Sequence, residues 1–208
     1  MDQTLFETAR WLVSAIARSL SGHGGEGVDI VLGRLASQAL DEAHFRAPEP
    51  VALPVLRHFA ECTAETMLLE ADIAAALAAI TDHLQWRQTA AYNDEVLGEG
   101  FLENYGWSQI IGPHGFFPGR NFLLGLLMLG PNRHYKDHYH PAPELYWLLT
   151  GPSQWKRAGG DFETKPAGTT IWHAPNVVHA TKTAGQPLLA LWCWTAIRQH
   201  RQGPWIPD

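Results

Sequence analysis

The chain has 208 residues, of which 46% are apolar and 17% are charged, and its formal net charge is −6. That length and composition fit one large domain, or a core domain with an appendage, with a real hydrophobic core, and they exclude a disordered chain. A negative net charge without a run of lysine or arginine residues argues against a nucleic-acid partner and against binding to anionic membranes.

Several features of the sequence favour a cytoplasmic location. The acidic start Met1–Glu7 lacks the basic region of a signal peptide. The apolar segment Phe122–Leu129 has eight residues, whereas a membrane-spanning helix needs about 20. Cys62 and Cys193 are isolated, so no disulfide framework is expected and a reducing compartment is the default.

The first 85 residues show helical periodicity. Apolar side chains recur at helical spacing from Leu5 to Leu20 and again from Val28 to Ala39. A third helix is predicted to begin near Thr63 and to continue to Leu84. We therefore predict that residues 1–85 form a helical N-terminal region that packs on the rest of the chain.

The sequence pattern of residues 86–208 is typical of a β-barrel, because Gly and Pro residues separate short segments rich in aromatic and branched residues. Residues 1–104 hold 16 acidic and 6 basic residues, a net −10, whereas residues 105–208 hold 5 acidic and 9 basic residues, a net +4. Closely spaced short strands are typical of a sandwich or barrel, so the predicted fold is mainly β with an α-helical N-terminal region. The predicted strands are Phe122–Leu129, Leu145–Leu149, Thr169–Trp172 and Leu188–Trp194.

Histidine and tryptophan are concentrated in residues 105–208, which hold seven of the 11 His and seven of the 9 Trp. Side chains alternate between the two faces of a strand, so His138, His140, Glu144 and Tyr146 would share one face if the strand resumes after a turn at 141–143. Imidazole and carboxylate groups together favour a divalent transition metal, and His179 is the best candidate for a further imidazole.

A plainer interpretation also exists, because a single histidine in a barrel is usually a hydrogen-bonded core residue. The full set favours a metal, since burying three imidazoles and a carboxylate without one would require a separate partner for each.

The same residues carry a resemblance to the cupin superfamily. The first cupin motif is matched by Gly130…His138-x-His140-x3-Glu144-x6-Gly151, and the second by Gly160-x5-Pro166-x-Gly168…Pro175-Asn176-x2-His179. The resemblance implies a double-stranded β-helix barrel around one divalent metal ion (Fe²⁺, Zn²⁺ or Mn²⁺), with His138, His140, Glu144 and His179 as ligands. It also implies, as a habit of the superfamily, a homodimer.

A narrower resemblance is to the cupin-type dimethylsulfoniopropionate (DMSP) lyases, through Tyr135-x2-His138-x-His140-x3-Glu144-x-Tyr146 and Leu189-x-Leu191-Trp192-Cys193-Trp194. It implies a carbon–sulfur lyase that splits DMSP into dimethyl sulfide and acrylate by β-elimination. Tyr146 would be the base and Tyr135 a second catalytic or substrate-binding tyrosine. His173, in the second motif, matches no assigned position.

The residues also suggest how such a substrate would be held. Aromatic faces attract a sulfonium cation, so Trp192 and Trp194, which share one strand face, are predicted to bind it. Tyr92 is predicted to bind the substrate at the mouth of the site. Two alternatives stay open at this point: another metal-dependent cupin enzyme, such as a dioxygenase or an isomerase, or a cupin that binds a small molecule without catalysis.

Overall fold

The computed structural model describes residues 2–197 as five α-helices followed by nine strands. Four short 3₁₀ turns lie between or beside the helices. The helices are α1 (Gln3–Leu20), α2 (Val28–Ala36), α3 (Phe59–Leu69), α4 (Ala71–Ile80) and α5 (Asp94–Leu97). The strands are β1 (Tyr105–Ile111), β2 (Leu123–Leu129), β3 (His134–His138), β4 (Glu144–Leu148), β5 (Ser153–Arg157), β6 (Glu163–Lys165), β7 (Thr170–His173), β8 (His179–Lys182) and β9 (Leu188–Trp194).

The strands form two antiparallel sheets that enclose the site. One sheet has five strands in the order β1-β2-β9-β4-β7, and the other has four in the order β3-β8-β5-β6. This arrangement confirms the prediction of a mainly β protein with a helical N-terminal region.

Strand β2 shows how one sheet serves two cores. Leu124, Leu126 and Met128 belong to the core shared with the helices, whereas Leu123 and Leu127 belong to the core inside the barrel. Side chains alternate along a strand, so a continuously apolar strand can be buried on both faces. The helices therefore cover the outside of the five-stranded sheet and leave its inner face free for the site.

Helix α1 supplies much of that cover. The carboxylate of Asp2 accepts a hydrogen bond from the Leu5 amide, which caps the first turn. The apolar stripe from Leu5 to Leu20 is buried, as its helical spacing predicts. The ring of His23, just beyond the helix, packs against Trp147 on the outer face of β4.

The prediction of one long helix from Thr63 to Leu84 is wrong in its continuity. The structure has two helices, α3 and α4, and Glu70 between them leaves the helical region with φ −136° and ψ 70°. Apolar spacing continues through this break because both helices bury a face against neighbouring elements, so periodicity alone does not reveal it.

Among residues 2–197, no helix is both long enough and apolar enough to cross a membrane. The predicted division into 1–85 and 86–208 stays a prediction. Met1 and residues 198–208, at the ends of those two ranges, lie outside the described part of the chain.

The junction between α2 and β7 supplies a stability prediction. Gly27 precedes α2 with φ +85°, and a Cβ atom at this position would overlap the indole of Trp172. In Gly27→Ala, the Cβ atom would both overlap the indole and strain the backbone, because φ +85° is unfavourable for alanine. We therefore expect a loss of about 2–4 kcal/mol in the free energy of unfolding. Chemical denaturation followed by circular dichroism measures it.

Gly33→Ala is the matched control, because a Cβ there meets no atom within 4 Å inside α2. This variant should be neutral or more stable by up to about 1 kcal/mol, since alanine favours helix. Equal stability of the Gly27→Ala protein and the wild type would contradict the packing described for this junction.

Candidate metal centre

The strand register brings the predicted site residues together from both sheets. His138, at the end of β3, pairs with His179, at the start of β8. Glu144, at the start of β4, pairs with His173 of β7 on one side and with Trp194 of β9 on the other. The shared face of His138 to Tyr146 was predicted on the condition that one strand resumes after a turn at 141–143. It does not resume, because residues 139–143 cross from the four-stranded sheet to the five-stranded sheet.

Three of the four predicted ligands form a tight buried group, here called the His–Glu–His cluster: His140, Glu144 and His179. Their potential ligand atoms all lie within 4.8 Å of one another. Nε2 of His140 is 2.9 Å from Oε2 of Glu144, and Nε2 of His179 is 3.5 Å from the same oxygen. One carboxylate oxygen therefore faces two imidazole nitrogens, which is a donor set suited to a single transition metal ion.

Backbone carbonyls orient the imidazoles. Nδ1 of His138, His140 and His179 each lies 2.8–2.9 Å from a carbonyl oxygen, that of Lys136, Ala142 and Val177 respectively. A carbonyl oxygen can only accept, so each Nδ1 must donate and carry the proton. In a neutral ring, Nε2 then keeps its lone pair for the interior, and this outer hydrogen bond is the usual companion of a metal-bound histidine.

Burial and charge set the protonation of the cluster. Burial opposes the charged form of Glu144, but the neighbouring His140 and His179 outweigh it and hold the pKa of this carboxyl well below its usual range. Burial likewise opposes the charged form of His140, yet Glu144 raises its pKa. The pKa of His138 is lowered well below its usual value, mainly by burial and then by His179. His138 is therefore a neutral donor.

The residues fit a divalent metal ion on two further observations. Nε2 of His138 and Nε2 of His179 are buried and have no hydrogen-bond partner among residues 2–197. Lone pairs left in this way are costly unless something binds them. The His138 ring lies 4.2 Å from that of His179, although His138 is not part of the His–Glu–His cluster itself.

The two predicted catalytic tyrosines lie on either side of the histidines. Tyr146 is buried, with its ring centroid 6.5 Å from that of His179. Burial first, and the charge of Glu144 second, raise its pKa well above the ordinary value. Tyr135 stacks on His138 at 4.0 Å, and its hydroxyl lies 2.8 Å from that of Tyr92, the predicted mouth residue.

The two predicted substrate-binding tryptophans have different surroundings. The indole Nε1 of Trp194 donates a 2.8 Å hydrogen bond to Oε1 of Glu144, and its ring lies 4.6 Å from that of His140. The indole Nε1 of Trp192 has no hydrogen-bond partner within residues 2–197. Trp194 therefore hydrogen-bonds the Glu144 carboxylate and also lines the cavity, whereas Trp192 lines the cavity with its ring alone.

His173 is a site residue to which sequence reasoning gave no role. It is buried and stacks on His179 with a centroid distance of 4.0 Å and an angle of 14°. Burial lowers its pKa to about 3, so the ring is neutral. Its register opposite Glu144 places it beside the cluster, a position that its spacing from His179 does not reveal because β7 and β8 belong to different sheets.

A cavity of about 140 Å³ opens onto the cluster. Its wall includes every predicted site residue except His179, and it adds side chains that the motifs did not indicate. Tyr105, Trp107 and Gln109 come from β1, where alternate residues face one way. The full wall is Thr89, Tyr92, Tyr105, Trp107, Gln109, Leu123, Leu127, Tyr135, His138, Tyr139, His140, Glu144, Tyr146, Trp192 and Trp194.

Two antiparallel sheets enclosing a buried group of histidines and a carboxylate define a cupin barrel with a candidate metal centre, as the sequence predicted. The family model of the dimethylsulfoniopropionate lyases matches residues 28–190. That match covers more than half of the chain, so the protein belongs to the DMSP lyase family.

Individual relatives agree with this assignment. The chain is 30% identical over 132 residues to the DMSP lyase DddQ of Ruegeria pomeroyi, and 24% identical over 130 residues to the putative DMSP lyase DddL of Cereibacter sphaeroides. These alignments cover 64% and 62% of this chain. They span 62% of the DddQ relative and 53% of the DddL relative.

Solved structures of the family share the whole architecture. The crystal structure of DddQ from Ruegeria pomeroyi matches with a TM-score of 0.72 and 20% identity, over 96% of this chain and 95% of that chain. A chain from the crystal structures of the DMSP lyases RdDddP and RnDddQII matches with a TM-score of 0.67 and 25% identity, over 97% and 95%. The likeness therefore includes the helical region as well as the barrel.

The hydrogen bond from Trp194 to Glu144 makes a prediction about metal affinity. Trp194→Phe keeps an aromatic ring but removes the indole donor, so the carboxylate loses its outer partner. Loss of such a partner typically weakens metal binding 10–100-fold, and we expect a loss in that range. Competition for Zn²⁺ with a chromophoric chelator measures the affinity.

Trp192→Phe is the matched control, because the Nε1 that it removes bonds to nothing in the described chain. Its affinity for Zn²⁺ should equal that of the wild type. If both variants bind Zn²⁺ equally well, then Trp194 does not orient the ligand carboxylate.

Proposed function

We propose that this protein is a metal-dependent DMSP lyase, which cleaves dimethylsulfoniopropionate to dimethyl sulfide and acrylate by β-elimination. The observation that supports this most strongly is the buried His–Glu–His cluster, which opens onto the same aromatic cavity as Tyr146. Membership of the DMSP lyase family points to the substrate, a small zwitterion with a carboxylate at one end and a sulfonium at the other.

The proposed ligands are His138, His140, Glu144 and His179. A metal bound there would supply Lewis acidity, which holds the substrate carboxylate and reduces the cost of negative charge in the transition state. Imidazole and carboxylate suit Fe²⁺, Zn²⁺ and Mn²⁺ alike, so the donor set alone does not choose between them.

Tyr146 is the proposed base. Its phenolate takes a proton from the carbon next to the carboxylate, and the C–H electron pair becomes the second bond of the new C=C. The bond from the neighbouring carbon to sulfur breaks, and its electrons leave on dimethyl sulfide. Acrylate remains, and the tyrosine returns its proton to water. In this scheme Tyr135 assists catalysis or binds substrate.

The aromatic wall suits the sulfonium. Trp107 and Trp192 meet edge to face at 6.3 Å, and Trp192 and Trp194 at 5.8 Å. A cation over an aromatic face gains about 0.5–2 kcal/mol per ring. The aromatic rings can therefore bind the sulfonium without a carboxylate as its counter-ion. Tyr92 lies beside Tyr135 in the same wall. A cytoplasmic location and a homodimer remain predictions that accompany this function.

The activity assay is direct. Purified protein loaded separately with Fe²⁺, Mn²⁺ or Zn²⁺ is incubated with DMSP, and dimethyl sulfide is read by gas chromatography. We expect release with at least one metal, and a fall of about 10²-fold or more in Tyr146→Phe, because a positioned base contributes 10²–10⁴-fold.

Metal content, measured on the same samples, shows that Tyr146→Phe is still loaded. No dimethyl sulfide with any metal would exclude the lyase and leave another cupin enzyme or a binding cupin. Full activity of loaded Tyr146→Phe would remove the tyrosine from the role of base.

The rate should also depend on pH in one direction. Burial and Glu144 raise the pKa of Tyr146, so the phenol is mostly protonated at neutral pH. Only the phenolate can accept the substrate proton, so kcat should rise from pH 7 towards alkaline pH. Metal content is measured at each pH to separate loss of metal from loss of the base. A kcat that is flat or falls over this range in fully loaded enzyme would contradict the assignment.

A further inference from the structure

His173 is a buried histidine of the barrel to which the proposed function gives no task. It is 1% exposed, and neither of its ring nitrogens has a hydrogen-bond partner among residues 2–197. It is also absent from the cavity wall that the described residues form. A buried polar group without a partner is costly, and an aliphatic side chain of similar size would avoid that cost. Stability alone therefore does not explain a histidine at this position.

The ring nearest to His173 belongs to a proposed metal ligand. The rings of His173 and His179 are almost parallel, at 14°, and their centroids are 4.0 Å apart. Trp155 is nearly parallel to His173 as well, at 26° and 6.3 Å, and Tyr146 meets it edge to face at 5.9 Å. The indole of Trp155 is fixed in turn by a hydrogen bond to the Ser153 hydroxyl. His173 therefore belongs to a packed group of rings that limits its own movement.

Each proposed imidazole ligand has two neighbours of the same kind, a backbone carbonyl at Nδ1 and a ring near its face. The neighbouring rings are Tyr135 for His138 at 4.0 Å, Trp194 for His140 at 4.6 Å, and His173 for His179 at 4.0 Å. Tyr135 and Trp194 have further tasks in the proposed site. The contact with His179 is what His173 contributes to this pattern.

A parallel ring restrains the motion that the carbonyl leaves free. A hydrogen bond at Nδ1 fixes one atom of the imidazole, and the ring can still turn about the axis of that bond. Such a turn would move Nε2 of His179 relative to Oε2 of Glu144, which is 3.5 Å away. A flat side chain parallel to the imidazole opposes the turn, because the two stacked faces would lose contact.

We propose that His173 is a positioning residue for His179, whose ring it holds in the plane that a metal ligand needs. The proposal rests on the metal centre of the proposed function, but not on its substrate. Imidazole is the smallest of the aromatic side chains, so it supplies a flat face where a six-membered ring would overpack the site. His173 should thus raise the affinity for the metal at the expense of the stability of the metal-free protein, as residues of functional sites often do.

The test compares Zn²⁺ affinity with stability in variants of His173. His173→Leu fills the space without a flat ring and removes both unpartnered nitrogens. We expect its Zn²⁺ affinity to fall about 5–10-fold, a loss that one aromatic contact can account for. The denaturation midpoint of the metal-free variant should be unchanged or higher, because these buried polar atoms are gone. Competition with a chromophoric chelator measures the affinity, and circular dichroism follows unfolding.

His173→Phe separates the ring from its nitrogens. This variant keeps a flat face and should bind Zn²⁺ within about 2-fold of the wild type. Its denaturation midpoint should be lower, since the larger ring overpacks the site. The visible absorption bands of bound Co²⁺ report the geometry of the ligands. These bands should match the wild type in His173→Phe and change in His173→Leu.

His23→Leu is the matched control, because it makes the same chemical change at an imidazole that packs against Trp147 outside the barrel. Its Zn²⁺ affinity and Co²⁺ bands should equal those of the wild type. If His173→Leu does not fold, His173→Met takes its place, because an unbranched side chain adapts to an irregular space.

Two results would overturn the proposal. One is wild-type Zn²⁺ affinity or unchanged Co²⁺ bands in His173→Leu. The other is a folded His173→Phe protein that loses as much affinity as His173→Leu. Because no DMSP is present, these results are independent of the lyase assay. A wild type that binds no Zn²⁺ would contradict the metal centre and this proposal together, whereas a loaded wild type that releases no dimethyl sulfide would contradict the lyase alone.

Discussion

The Glu144 carboxylate is the group on which the rest of the site depends. It is 2% exposed, and its two oxygens face three different side chains from three parts of the chain, two of them within hydrogen-bond distance and His179 at 3.5 Å. A buried carboxylate is costly unless it is paired, and here the partners are His140, His179 and the indole of Trp194. A divalent metal ion would satisfy this carboxylate together with the unpartnered Nε2 atoms of His138 and His179.

The fold supplies the rigidity that this arrangement needs. Glu144 lies on β4, between β7 and β9 of the five-stranded sheet, and His179 lies next to β3 in the other sheet. The helices cover the outer face of the five-stranded sheet, so its inner face can be given over to polar ligands without exposing the sheet to water. Backbone carbonyls fix the imidazole tautomers, which leaves little for the metal to reorganise.

Much of the site could be predicted from the sequence because its members are close along the chain. The spacing from His138 to Tyr146 places four groups on the inner side, although the chain changes sheets between His140 and Glu144 rather than continuing one strand. The motif spacing likewise leads to His179. The same motif residues also predicted the cupin barrel and the DMSP lyase family.

The rest depends on packing over long sequence distances. Thr89 and Tyr92 reach the cavity only because the segment after the helices folds across it. The break at Glu70 is invisible to periodicity, since apolar spacing continues on both sides. Trp194 was predicted to face a substrate, whereas its indole donates to Glu144, a role that only the register of β4 with β9 reveals.

X-ray absorption spectroscopy of protein loaded with one equivalent of Zn²⁺ shows whether these residues form one metal centre. We expect a shell of nitrogen and oxygen ligands at about 2.0–2.2 Å, with the outer scattering of several imidazole rings. An oxygen-only shell without imidazole scattering, or a sulfur shell at about 2.3 Å, would contradict it.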